Sequence, residues 1–166
     1  FKRIEAMEYF VEHDDGRGAD DLDDADIVLI GISRTGKTPL SMYLAHLGYR
    51  VANIPLVPGV EPPSSLFSVD PGKVFGLIST TEVVSTIRDR RLGDDMSRAV
   101  ASDYADPERV RSEMDEARAL IKKLGCITVR TDGKAIEESA AEILERMRQV
   151  RIGRERRLER LDAQSI

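Results

Sequence analysis

Residues 26–41 read DIVLIGISRTGKTPLS. An unbroken apolar, β-branched run ends at Gly31, a second glycine follows at Gly36, and Lys37 and Thr38 stand directly behind it. Such a run is the pattern of a strand buried on both faces of a parallel sheet. The residues after it, TPLSMYLAHLGY, are spaced as a helix closed by Gly48. Pro39 fits the first helical turn, where the N–H groups have no intrahelical partner. The segment Gly31, Ile32, Ser33, Arg34, Thr35, Gly36, Lys37 and Thr38 matches G-x-x-x-x-G-K-[ST] at every fixed position.

That pattern has a chemistry. Glycines let the backbone curl so that successive N–H groups converge on an anion, and the helix behind them directs the positive end of its dipole to the same place. Lys37 adds a full charge for a terminal phosphate, and the Thr38 hydroxyl can ligate Mg²⁺. The competing reading is an ordinary strand-to-helix turn rich in small residues. The motif does not name a reaction. A guanine-reading Asn-Lys-x-Asp is absent, and no later strand ends cleanly in the acidic residue expected of a motor ATPase; CITVRTD reaches Asp132 two residues late. On the loop alone, a small phosphate-loop kinase or phosphotransferase is expected.

Working outward, residues 2–12 form an amphipathic helix with Ile4, Met7, Tyr9, Phe10 and Val11 at roughly helical spacing. An Asp- and Gly-rich turn follows, and the acidic run from Asp20 to Asp26 reads as a solvated loop. Strands are expected over 51–57, cut short by Pro55 and Pro58, over 73–79, and over 126–131. Between the second and third lies PGVEPPSSLFSVDPG, a loop long enough to suggest a lid. Helices are expected from residue 79, 80 or 81, over 107–124 with Pro107 at the start and Gly125 at the end, and over 133–150. Strands alternating with helices predict an α/β fold: a phosphate-loop-NTPase-like three-layer sandwich with a mostly parallel central sheet. One domain is expected over residues 1–150. Residues 151–166 form a charged tail, interrupted by Gly153 and expected to be a solvated helix or disordered.

With 166 residues, 41% hydrophobic and 33% charged, the chain can bury a real core and carries no signature of disorder. A net charge of −5 and a pI of about 5.2 argue against a general nucleic-acid binder. No apolar stretch approaches a membrane span and no signal-peptide pattern opens the chain, so neither a membrane nor a nucleic-acid partner is expected. The single cysteine, Cys126, leaves no internal disulfide and no cysteine-based zinc site, and a cytoplasmic setting is the corresponding expectation. Cys126 itself, like the methionines, reads as core.

The wider combination RIEA (3–6), HDDG (13–16), GISRTGKTP (31–39), NIPLVP (53–58), VFGLIS (74–79) and IRDRRL (87–92) resembles the regulatory proteins of pyruvate, phosphate dikinase and phosphoenolpyruvate synthase. The resemblance runs from about Arg3 to Val150. It implies a bifunctional enzyme that uses ADP to phosphorylate a threonine of the partner enzyme and removes that phosphate with inorganic phosphate, releasing pyrophosphate. It also implies an additional N-terminal domain, of which the start at Phe1 would retain only the last helix. The ADP-binding segment would be Gly31 to Thr38, with Mg²⁺ as the accompanying cation and the dikinase or the synthase as partner. Association with further copies of itself stays open, as does the choice of target. An ATP-dependent small-metabolite kinase and an inactive nucleotide-binding fragment are the alternatives.

Around the loop, several side chains carry two readings each. His13, Asp14 and Asp15 match the family's HDDG word: an aspartate could accept the threonine hydroxyl proton or help hold Mg²⁺, and His13 could share the proton work. Equally, they could be a helix C-terminus running into a polar turn, with His13 favouring the dipole. Arg34 could reach the transferring phosphoryl group with its planar fork, or form a surface pair. Arg88 and Arg91, three apart on one helical face, are candidates for the phosphate of the substrate, against a solvated charged face. Asn53 ends a strand at the sheet edge where α/β proteins bind ligands, or else ties down the loop behind it.

Overall fold

The apolar run becomes β1 (Ile27–Gly31), buried along its whole length at the centre of the sheet. The structure is a computed structural model describing residues 2–14, 18, 22–92 and 105–165. β1 is flanked on one side by β2 (Val51–Pro55) and on the other by β3 (Val74–Ile78), and β3 pairs with β4 (Ile127–Arg130). All three pairings are parallel, in the order β2-β1-β3-β4, with Ile27 opposite Val51 and Gly31 opposite Pro55. The helices are α1 (Lys2–His13), α2 (Lys37–His46), α3 (Thr81–Leu92), α4 (Pro107–Leu124) and α5 (Ile136–Gln164).

Alternation along β1 divides the core in two. Ile27 and Leu29 pack with Leu40 and Leu44 of α2 and with Ala140 and Ile143 of α5. Val28 and Ile30 face the other way, onto Val84 of α3 and Val110, Met114, Ala117 and Ile121 of α4. The period of two in a strand requires this division, and both faces being apolar is why the run has no polar member. Three layers result, as the sequence predicts. Asp106 caps α4 by accepting from the Glu108 N–H, with Pro107 in the first turn.

Two elements differ from their sequence reading. On α1 it is Ala6 and Phe10 that meet Ala45 of α2, whereas Ile4 and Val11, seven residues apart and therefore on one face, are exposed. The proline-rich segment before β3 is no free lid. It winds into short 3₁₀ turns at Ser64–Phe67 and Pro71–Lys73 and buries Leu66 and Val69 in the core. Of the two readings of residues 151–166, the solvated helix is the one found: α5 runs through Gly153 without a break, and its side chains beyond that point are exposed. The Arg154 fork grips both oxygens of Asp70 at 2.7 Å each. Among the described residues no helix is long and apolar enough to cross a membrane.

Chain from β1 returns through α2 to β2 on one side, whereas chain leaving β3 returns to β4 on the other. The carboxyl ends of β1 and β3 are therefore a topological switch point, where open parallel sheets form their ligand crevice.

The Arg154 guanidinium, helped by the Gly72 N–H, holds the Asp70 carboxyl down at about 2 from its usual 3.8. A depressed carboxylate pKa stabilises the docked state above the unfolded value and loses that contribution as pH falls through the folded one. Hydrogen exchange should therefore show amides at 150–164 becoming less protected between about pH 4 and pH 2. Asp70→Asn should produce the same fraying at neutral pH, by a few-fold because the pair is partly exposed, with little change in global stability.

Candidate functional site

Residues 31–38 turn back on themselves at the end of β1. Arg34 is the one non-glycine residue with positive φ among the described residues (66°), and Gly36 follows at φ 90°. Two left-handed positions in a short turn curl the chain into a concave nest. Gly31 is required for a different reason: a Cβ there would lie 2.8 Å from Thr35 Oγ1 and 3.0 Å from the Leu77 carbonyl oxygen. Conformation explains the second glycine; close approach explains the first.

Nearly every carbonyl of the loop has a donor. Gly31 O accepts from Leu56 N at 2.8 Å; Ile32 O accepts from Thr35 Oγ1 at 2.9 Å and from Lys37 Nζ at 2.6 Å. Ser33 O accepts from Arg88, through Nε at 3.3 Å and a terminal nitrogen at 3.2 Å. Thr35 O accepts from Thr131 Oγ1 at 3.0 Å, and Gly36 O from Leu40 N. In a trans peptide the carbonyl is antiparallel to the next residue's N–H. Carbonyls turned into the protein at 32, 33, 35 and 36 thus turn the N–H groups of Ser33, Arg34, Gly36 and Lys37 outward. Those four residues line a cavity of about 570 Å³. The start of α2, with no side-chain cap, opens into the same space.

Asp14, Thr38 and Asn53 form the opposite wall. Asn53 Nδ2 donates to Asp14 Oδ1 at 2.8 Å and to Thr38 Oγ1 at 3.2 Å, and Thr38 Oγ1 lies 3.4 Å from the same carboxylate oxygen. Asn53 is 1% exposed, and its Oδ1 has no hydrogen-bond partner among the described residues. A buried polar atom of that kind is costly unless something met in function satisfies it. Hard oxygen donors, Thr38 hydroxyl and Asp14 carboxylate, next to a phosphate nest suit Mg²⁺, which takes one or two protein ligands and fills its shell with phosphate and water. No preformed cluster of three His, Cys, Asp or Glu exists among the described residues.

The remaining candidates separate. Arg34 and Arg91 are exposed and line the cavity. Arg88 does not. It is 1% exposed, bound to the loop through Ser33 O and to Glu113 of α4 at 2.7 Å, so it braces the nest rather than meeting a ligand. It is equally not part of a solvated face. His13 stays with its own helix, its ring stacked on Tyr9 and Nδ1 2.9 Å from the Tyr9 carbonyl, and it does not line the cavity. Asp15 lies outside the described residues. Thr131 and Glu113 escaped the sequence reading, since neither sits in a motif and their partners are 96 and 25 residues away.

A parallel sheet carrying a glycine–lysine loop at its switch point defines a phosphate-loop-like α/β protein. Within that class the chain belongs to the Kinase/pyrophosphorylase family, which it matches over residues 1–144. It is 48% identical over 145 residues to a protein of Syntrophomonas wolfei provisionally named pyruvate, phosphate dikinase regulatory protein 2, covering 87% of this chain and 53% of that one. A Lysinibacillus sphaericus protein provisionally named pyruvate, phosphate dikinase regulatory protein is 49% identical over 147 residues, with 87% and 53% covered. A Desulfitobacterium hafniense protein of that name is 48% identical over 145 residues, with the same coverage. The chain spans about half the length of these relatives.

Arg88 and Arg91 should part company in unfolding experiments. Arg88→Ala strands Glu113 and releases the loop, and should cost about 3 kcal/mol or more in denaturant unfolding. Arg91→Ala should stay within about 0.5 kcal/mol of the unaltered chain.

Proposed function

We propose that the chain carries the phosphoryl-transfer site of a bifunctional regulatory enzyme acting on a dikinase-type enzyme of phosphoenolpyruvate metabolism. In one direction it phosphorylates a threonine of that partner with ADP; in the other it removes the phosphate with inorganic phosphate, releasing pyrophosphate. The observation that carries this reading is the single cavity in which Lys37, Thr38, Arg34, Arg91, Asp14 and Asn53 meet from separate parts of the chain. Family membership and the names of the relatives support the choice of reaction and target.

The two directions need one geometry. The nest of N–H groups that holds the β-phosphate of ADP during transfer also holds inorganic phosphate facing a phosphothreonine. Phosphoryl transfer passes through a loose transition state with charge spread over the equatorial oxygens, so positioning and charge neutralisation dominate. Lys37, now hydrogen-bonded to Ile32 O, has its ammonium at the loop where that charge develops. Arg34 and Arg91, exposed along the same cavity, are placed for the phosphate of the target's phosphothreonine. Thr38 and Asp14 would hold Mg²⁺, which neutralises phosphate charge when bound. Asn53 orients both of those side chains.

Incubating the chain, and in parallel a relative of full length, with dikinase or synthase, and with ADP or ATP, tests the reading by mass spectrometry. A threonine of the target should gain a phosphoryl group with ADP and lose it with phosphate. Transfer from ATP to a small metabolite, with neither target modified, overturns the proposal. Lys37→Ala and Asp14→Asn should each reduce transfer about a hundredfold or more in whichever form is active.

A further inference from the structure

The chain after β2 and helix α4 enclose a recess of about 110 Å³. Its floor is apolar and buried, at Ile32 and Ala117, whereas its rim stands in solvent, with Val57 51% and Val60 63% exposed. The rim is also stiff. Pro55, Pro58 and Pro62 fix φ along it, Leu56 N donates to Gly31 O at 2.8 Å, and Val60 N donates to Val57 O at 3.2 Å. A preformed recess of this kind costs an occupant little ordering. Small-molecule pockets start at about 300 Å³, so this one has room for a side chain and not for a metabolite.

Charge and position define the occupant. Among the described residues the recess is lined by two carboxylates, Glu113 and Glu116, and by no basic side chain. Glu113 gives one oxygen to Arg88 at 2.7 Å, while Glu116 is exposed and has no ion-pair partner among the described residues. Pro55 lines this recess and the phosphate cavity alike, so the two adjoin at the end of β2. The neighbour is cationic on balance, with Arg34, Lys37 and Arg91 against Asp14. A protein segment laid across both meets a place for a phosphate and then a place for an aliphatic side chain beside a cation.

We propose that the recess docks the segment of the target protein next to the modified threonine, taking an aliphatic side chain with a lysine or arginine beside it. The inference rests on the target-modifying role proposed for the phosphate cavity and adds how the target is recognised. The aliphatic group lies on Ile32 and Ala117 between Val57 and Val60, and the basic group pairs with Glu116. Opposite charge across such a contact selects the partner more than it adds affinity. A small phosphate ester in the neighbouring cavity does not reach this far, so the recess distinguishes a protein target from a metabolite.

The test measures binding of the full chain to immobilised pyruvate, phosphate dikinase and, separately, to phosphoenolpyruvate synthase, without nucleotide and at low and high salt. The unaltered chain should bind one of them, and more weakly at high salt. Val60→Ser/Glu116→Gln should bind that target about tenfold more weakly, having lost an apolar contact and an ion pair. Glu116→Gln alone, at an exposed position that leaves the fold intact, should flatten the salt dependence. Equal affinity and salt dependence in these variants, or binding of neither target by the unaltered chain, overturns the proposal. So does a change in self-association on sedimentation with target affinity unaltered, which assigns the recess to a second copy of the chain. Lys37→Ala keeps the two readings apart: it should bind the target within about threefold of the unaltered chain while transfer is lost. Normal transfer by Lys37→Ala defeats the reading of the loop, whereas the recess is judged by the binding of the Val60 and Glu116 variants.

Discussion

The site depends on the outward orientation of the loop amides, and that orientation is fixed from behind. Peptide groups have two ends, and a phosphate can use only one of them. By supplying donors to the carbonyls of Ile32, Ser33, Thr35 and Gly36, the protein commits the other end of those peptides to the crevice, and the carbonyl of Gly31 before them is held as well. Each donor comes from a different place: the chain after β2, the loop itself, α3, the chain after β4, and α2. The concave turn is therefore a property of the assembled sheet and helices, and the eight-residue motif supplies only the part that must be able to bend.

That division explains what could be read from the sequence. Ile27 to Gly31 announced a buried parallel strand because every residue is apolar, and Pro107 and Gly125 announced both ends of α4 because helix ends are set by local chemistry. The α/β class followed from the alternation of such segments. The loop motif located the crevice for the same reason. Arg88 could not be placed from its helix, since its partners are Ser33, 55 residues before it, and Glu113, 25 after it; spacing shows a face but not what the face meets. Asn53 had a readable location at a strand end, whereas its bonds to Asp14 and Thr38 depend on how α1, β2 and α2 converge. Helix α5 continues past Gly153, and the contact Arg154 makes there with Asp70, 84 residues away, has no local signature.

Strand order gives the site its two sides. With β1 between β2 and β3, the crevice faces Asn53 and Asp14 on the β2 side and Thr131 on the β4 side. Charged groups stand on both sides, Asp14, Lys37 and Arg91 on the first and Asp132 and Lys134 on the second, while Val83 and Ile136 add aliphatic surface to the second alone.

The bond from Thr131 to the Thr35 carbonyl joins positions 96 residues apart. Contacts so distant in sequence form late in folding, since a long segment must close before they can. On a translating ribosome, residues 31–38 emerge well before residue 131 does. The nest thus matures only after most of the chain has been made, and a half-synthesised protein displays the motif without the grip.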